Sequence, residues 1–402
     1  MSKEKLVPKL RFSGFDDEWG EVKLGEIFDI KNGLNKGKEF FGKGIQILNY
    51  MDVNKHEFNT EKMIEGLVEL TEDEIERFSV KPNDLFFTRT SETSDEIGLT
   101  SAYIGNEVNC VFSGFILRAR PKIGLNSLFY AYYFRSPQQR NNIIKYSSIT
   151  TRALISGANL SKMKIRLPQA EEQNNIAKFL QIIDKKIELL EKKHQYYQDF
   201  KKYLMQQIFA QKLRFDFHDD WEIKKLGEIT QINTGKKDVK DKKDDGKYPF
   251  FVRSEKIERI DSYSFDGEAI LIPGDGKIGE VYHYINGKFD YHQRVYKISD
   301  FHNDVFGKYI YYYLEKNFLR QAMKNTAKAT VDSLRMDTLT KMPIELPSFE
   351  EQIKIANSLT FTDEKINLAK NDIDVVNKFK KALLQQMFVY IYYTHQILNL
   401  SS

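Results

Sequence analysis

One cysteine, Cys110, stands in 402 residues, which excludes a disulfide framework and any zinc site built on several thiolates. Set in the apolar run Cys110-Val111-Phe112, it reads as a small buried hydrophobe. None of the nine prolines touches another, so the Asn/Asp-Pro-Pro-aromatic loop of amino-methyltransferases is missing. There is no Gly-x4-Gly-Lys-Ser/Thr run, which removes ordinary ATP-driven motor chemistry from this chain. The seven histidines are scattered without metal-ligand spacing, so no metal site is expected. No apolar run approaches the roughly 18 residues that span a bilayer, and residues 1–12 lack the apolar core of a signal peptide. A cytoplasmic protein without membrane contact is expected. Hydrophobic content of 41% with 29% charged residues is that of a globular chain rather than a disordered one.

Net charge is only +4, shared evenly along the chain, which by itself argues poorly for a polyanion partner. The distribution says more. Residues 108–170 contain no Asp or Glu but ten cations: Arg118, Arg120, Lys122, Arg135, Arg140, Lys145, Arg152, Lys162, Lys164 and Arg166. A shorter acid-free stretch, residues 316–331, holds Lys316, Arg320, Lys324 and Lys328. Both predict a surface that faces polyanion.

What is present in abundance is repetition. Residues 160–209 return as 339–388 at a constant offset of 179, with about 23 of 50 positions identical. Leu160-Ser161-Lys162-Met163 matches Leu339-Thr340-Lys341-Met342, and Glu171-Glu172-Gln173 matches Glu350-Glu351-Gln352. A second echo, at an offset of 202, pairs Trp19 and Leu24-Gly25-Glu26-Ile27 with Trp221 and Leu226-Gly227-Glu228-Ile229. The change of offset makes the second intervening block 23 residues shorter. Two divergent inserts in one duplicated frame suit a protein that reads two different things.

The constant blocks read as long helices. Ile176, Leu180, Ile183, Ile187, Leu190 and Leu204 lie on an apolar seam with alternating steps of four and three, interrupted by His194 and Lys201. Ile355, Leu359, Ile366, Ile373, Val376 and Leu383 repeat it around Lys380. Pro168 and Pro347 precede each start, and the paired glutamates favour the positive helix end. A parallel pair would set Lys201 against Lys380. An antiparallel coiled coil, with approximate two-fold symmetry, instead brings each lysine near the glutamates at the other helix start.

The variable blocks read as mixed α/β domains, making the chain α/β in class: residues 1–168, then a helix over 169–212, a second domain over 213–347, and a second helix with a tail over 348–402. Residues 84–89 and 111–117 predict strands, as do 269–272, 281–285 and 294–298. Aromatic helices follow at residues 128–135 and 309–314, their tyrosines placed in the core. Candidates for touching phosphate or base edges are Thr88, Arg89, Thr90 and Ser91 at a strand exit, and Lys145, Ser147, Ser148, Thr150, Thr151 and Arg152 in a polar loop. In the second domain they are Lys236, Lys277, His292, Gln293, Arg294, Thr326, Lys328 and Thr330. Gly274-Asp275-Gly276-Lys277-Ile278-Gly279 matches a dinucleotide fingerprint, yet Pro273 precedes it and a strand-like run follows, so a glycine turn is the better account. No catalytic residue is found. A scaffold whose domains hold proteins rather than DNA is the rival reading.

Two divergent blocks alternating with two near-identical helices, joined through Leu-x4-Ile-x-Leu-Pro-x3-Glu-Glu-Gln at residues 160–173 and 339–352, resemble the specificity subunit of Type I restriction–modification systems. The Gly-Asp-Gly-Lys-Ile-Gly segment, followed by Tyr282 and Phe289, looks like a common element of its target recognition domains. The resemblance covers residues 11–388. It implies a non-catalytic subunit that binds a bipartite, asymmetric double-stranded DNA site, one half per domain. It further implies two modification subunits that use S-adenosylmethionine for adenine methylation, and two restriction subunits that use ATP and Mg. The tail after Phe388 is given no role.

Overall fold

A computed structural model of the chain describes residues 7–149, 152–276, 278–323 and 333–389. It divides into two compact units: one holds the residues up to Leu189 with those from Asp372 onward, the other is Leu190–Asn371. Both boundaries fall inside the long helices, Ala170–Phe209 and Phe349–Gln386, so each unit contains a part of each helix. Within the first unit the early part of the first helix meets the late part of the second, and within the second unit the reverse holds. This is the antiparallel pairing that the lysines required. Among the described residues no helix is long and apolar enough to cross a membrane.

The first unit is built on a five-stranded sheet in the order Phe28–Asn32, Ile116–Pro121, Leu85–Thr88, Thr100–Tyr103, Phe58–Asn59. The second has six strands in the order Gln231–Thr234, Val295–Ser299, Phe265–Pro273, His283–Tyr291, Tyr248–Phe251, Glu258–Ile260. In both sheets the fourth and fifth strands pair parallel, while the other neighbours run antiparallel. The inserts therefore differ in sequence but share one topology. One expected strand is in fact two: residues 111–117 break at Ser113-Gly114-Phe115 between Cys110–Phe112 and Ile116–Pro121. A glycine within an apparent strand marked that break.

The repeated motifs are the hinges of this frame. Leu-Gly-Glu-Ile forms a one-turn helix in each unit, Leu24–Ile27 and Leu226–Ile229, with Leu and Ile buried and Glu26 or Glu228 accepting the backbone N–H of Lys23 or Lys225 at 3.0 Å. The glycine is required for close approach: a Cβ at Gly25 would lie 2.8 Å from Ser161 Cβ, and one at Gly227 2.9 Å from Thr340 Cβ. Glu-Glu-Gln resolves into three roles. The first glutamate is exposed. The second is buried: Glu172 takes Arg11 Nε and NH2 at 2.7 and 2.9 Å and Trp19 Nε1 at 3.0 Å, and Glu351 takes Arg214 at 2.9 and 2.7 Å and Trp221 Nε1 at 3.3 Å. The glutamine donates to the preceding proline carbonyl and accepts the backbone N–H of Asn126 or Phe306, just ahead of the aromatic helix.

Those aromatic helices, Ser127–Arg135 and Gly307–Met323, supply the cores. Phe129, Tyr130, Tyr133 and Phe134 pack with Trp19, Phe28, Ile176, Leu180, Leu383 and Phe388 in the first unit. Tyr309, Tyr312, Tyr313 and Phe318 pack with Trp221, Leu204, Ile208, Ile355 and Leu359 in the second. The expected seam is buried where a domain lies against it, at Ile176, Leu180, Ile183, Leu204, Ile355, Leu359 and Leu383, and half-buried at Ile187, Leu190, Ile366, Ile373 and Val376. The seam lysines depart from expectation. Lys380 meets Asp184 at 2.6 Å and Glu57 at 2.8 Å, and Lys201 meets Asp363 at 2.8 Å and Glu315 at 2.9 Å. The first-turn glutamates are not their partners, because the arginine and tryptophan already occupy the buried one. Tyr132 and Tyr312 complete each set by donating to Asp184 at 2.6 Å and Asp363 at 2.7 Å.

Candidate nucleic-acid interface

In each unit the central strand ends in a turn, and three other segments are tied to that turn by the same backbone bonds. In the first unit Arg89 N–H donates to Phe115 O at 2.9 Å and Ile155 N–H to Arg89 O at 3.0 Å. In the second, Gly274 N–H donates to Arg294 O at 2.7 Å and Leu334 N–H to Gly274 O at 2.8 Å. The fourth segment is fixed by parallel bridges, Leu34 to Ser113 and Lys237 to His292. Gly33 and Gly235 permit this: a Cβ at either would fall 2.1 Å from Ser113 O or 2.0 Å from Tyr291 O. Several of the described candidates scattered along the sequence are thus brought near one another in each unit.

Within the first cluster, Thr90 and Ser91 pair with Leu154 and Ala153, and Ser148 pairs with Leu154 on its other side. Thr88 is buried, donating to Glu96 O at 2.7 Å and accepting Leu99 N–H at 2.9 Å. Ser91 is buried on Glu96, and Ser147 closes on Ile144 O at 2.7 Å. These hydroxyls hold the turn and do not face outward. Arg89 donates to Gly114 O at 3.3 Å, with its Nε buried and unpartnered. Arg152 is the outward cation: its pair with Glu92, at 3.7 Å with side chains 71% and 86% exposed, is too loose to hold it. Lys145 is exposed at the end of the helix Pro137–Lys145. Thr150 and Thr151 lie outside the described residues, as do Lys277, Thr326, Lys328 and Thr330.

Half of the cations in the acid-free window are turned inward, which narrows the expected basic face to Lys122, Lys145, Arg152, Lys162 and Lys164. Arg118 donates to Ser79 O, Arg120 pairs with Asp84 at 2.7 Å, and Arg135 donates to the carbonyls of Thr100, Val53, Asn54 and His56. Arg140 donates to the carbonyls of Gly98, Asp95 and Ile97, and Arg166 is buried beside Glu21. Guanidinium groups close the loops of the domain here, because several backbone acceptors can be satisfied by one side chain.

In the second cluster Lys236, Gln293 and Arg294 are exposed, Gln293 donating to Asp238 at 3.2 Å. His292 is buried, and its Nδ1 accepts the backbone N–H of Arg294 at 3.0 Å, so it shapes the turn and presents its neighbour. His283 Nε2 lies 3.0 Å from Ser254 O and holds the loop that carries Arg253. The expected glycine turn is observed, with Gly276 and Gly279 at φ +74° and +76° and no helix opening after it. Two outward residues escaped sequence reading. Phe115, 64% exposed, occupies in the first unit the backbone position that Arg294 occupies in the second. Arg253 sits between two strands with no motif around it. The only signal for Phe115 was the glycine before it.

Both histidines are held below the ordinary imidazole value of 6.5, first by burial, and for His292 next by the charge of Arg253. A depressed folded value means the unfolded chain binds protons first as pH falls, so stability is full above about 6.5 and declines below it. The melting midpoint of the second unit, followed by Trp221 fluorescence, should therefore fall between about pH 7 and about pH 5.5. His292→Gln should flatten that slope; an unchanged slope would remove His292 as its source.

Fold and clusters together define a protein with two copies of one α/β recognition unit whose outward tips differ. A sequence profile described as the Type I restriction modification DNA specificity domain matches residues 16–196 and again 218–378, and the chain belongs to that family. The EcoDI specificity subunit of Escherichia coli is 30% identical over 169 residues, spanning 41% of this chain and only 37% of that relative. A putative MjaX specificity subunit from Methanocaldococcus jannaschii is 23% identical across 95% of both chains. The S subunit of a Type I restriction–modification system from M. genitalium has a like fold, with a TM-score of 0.64 at 16% identity, covering 96% of this chain and 100% of that one.

Proposed function

We propose that this chain is the non-catalytic DNA-specificity subunit of a Type I restriction–modification complex. Each unit reads one half of a bipartite, asymmetric duplex site through the cluster at the end of its central strand. The two long helices set the number of base pairs between the halves. Adenine methylation with S-adenosylmethionine, and ATP- and Mg-dependent restriction, are carried out by two modification and two restriction subunits. The observation that carries this reading is a frame conserved between the units to the level of single hydrogen bonds, with chemically different residues, Phe115 and Arg294, at equivalent outward positions. A docking face for the modification subunits is supported by apolar side chains left exposed at heptad spacing: Ile182, Leu189 and Val375 in the first unit, and Tyr196, Tyr203, Phe361 and Leu368 in the second.

The test is methylation mapping in a host carrying the complex. Removing one heptad from each long helix in register should shorten the spacer of the methylated motif and leave both half-sites intact. A changed half-site, or an unchanged spacer with retained methylation, counts against the reading. Binding of the purified complex to its mapped duplex should also weaken steeply with salt. Indifference to salt would favour a protein scaffold.

A further inference from the structure

We infer that Arg253 and Arg294 are the base-reading residues of the second unit, that they select guanine, and that Asp275 is the positioning residue that aims them. The inference rests on the DNA-reading function proposed above and deepens it for one cluster. Asp275, its side chain 17% exposed, accepts Arg253 NH1 at 3.2 Å on Oδ1 and Arg294 NH1 at 3.2 Å on Oδ2. The two arginines are themselves 46% and 62% exposed. They reach this carboxylate from separate turns, each fixed from beneath by a histidine: the half-buried His283 on Ser254 O and the buried His292 on Arg294 N–H.

The geometry separates two uses of an arginine. A phosphate clamp gains from unopposed positive charge, and a carboxylate between two guanidinium groups weakens it. Readout of a base needs orientation more than charge, because guanine presents two neutral acceptors, N7 and O6, to a parallel pair of N–H donors. Asp275 takes NH1 from each side chain, and the Nε and NH2 edge of each is left as such a pair. Held this way, a guanidinium loses less rotamer freedom on meeting the base edge. In the first unit Phe115 stands at the backbone position of Arg294, and it offers an apolar surface suited to a thymine methyl instead. The two clusters are therefore unlike in what they can grip.

The experiment uses full-length chain in complex with its modification subunits, and duplexes carrying the mapped target or that target with each second-half guanine replaced. Arg253→Lys and Arg294→Lys keep the charge and lose the fork. Each should bind the intact target about 5- to 150-fold more weakly, with preference for one guanine lost. Binding to nonspecific duplex and the salt slope should stay unchanged, as should the first half-site in the methylated motif. Asp275→Asn should lower the same preference while nonspecific affinity holds or rises, because a negative charge is removed. Lysine variants that keep full base preference overturn the inference, as does a uniform loss of affinity or a wild-type second half-site without guanine. A wild-type complex that binds no particular sequence would fail the underlying reading itself, a result distinct from all of these.

Discussion

Replacing Lys380 by methionine should destabilise the first unit by about 3–5 kcal/mol, the cost of leaving buried charge without its partner. Lys380 is 13% exposed at its side chain, and it serves Asp184 and Glu57, which are 15% and 26% exposed. Burial opposes the charge on Glu57, but Lys380 and Arg135 outweigh it and hold the group below its ordinary value. Asp184 goes the other way, raised by burial and then by Glu57 beside it. One lysine shared by two carboxylates leaves one of them under-compensated. Without the lysine both would favour the protonated form, and an acid whose folded pKa is raised regains stability as pH falls. The defect of Lys380→Met should therefore be largest near neutral pH and shrink on acidification. Adding Asp184→Asn and Glu57→Gln should recover much of the loss. Calorimetric melting of wild type, single and triple variants checks this; an equal defect at all pH values would point to lost packing instead. Lys201→Met should act likewise on the second unit, where burial already raises Glu315.

Truncating the buried glutamate of each helix start should cost a similar amount. Glu172→Ala leaves the Arg11 guanidinium, 12% exposed, with only the Asp17 carbonyl on NH1 and no carboxylate for Nε and NH2, and the Trp19 indole N–H without an acceptor. About 3–5 kcal/mol is expected, against less for Glu172→Gln, which keeps one oxygen for Trp19 and Arg11 NH2 but turns an amide donor toward Arg11 Nε. The two tryptophans of the chain fall one to a unit, so each reports its own clamp. With Trp221→Phe in the background, Trp19 fluorescence should show a lower unfolding midpoint in Glu172→Ala. Glu351→Ala, with Trp19→Phe, should do the same through Trp221. A midpoint shift below about 1 kcal/mol in either would show that water replaces the carboxylate without difficulty.

The frame was legible in the sequence because it is periodic or duplicated. Steps of three and four gave the seam, and repetition marked Trp19, Gly25, Glu172 and Lys201 as a set with their later copies. What repetition withheld was the partner of each. That Glu172 faces Arg11, and that Lys380 faces Glu57, depends on contacts across more than a hundred residues, which spacing does not encode. The same blindness misread half of the acid-free window. Counting charges placed Arg135 and Arg140 on a surface, whereas both turn inward to carbonyls, acceptors that carry no formal charge and leave no trace in composition. The clusters were legible as segments and not as side chains. Thr88 and Ser91 were found for their hydroxyls, yet these hold the turn, and Phe115 was hidden by reading residues 111–117 as one strand. Arg253 had no marker, since its role arises only where the fold sets it beside Asp275.

The discontinuous make-up of the first unit bears on its birth at the ribosome. Leu190–Asn371 is one uninterrupted stretch, but the first unit needs residues from Asp372 onward. Asp184 emerges 196 residues before Lys380 (380 − 184), an interval of roughly 10–40 s at common elongation rates. The domain translated earliest is thus the last to close. In the meantime its tyrosine-rich interior stands open to solvent and to chaperones, and a message truncated after Asn371, partway along the final helix, yields a finished second domain and an unfinished first.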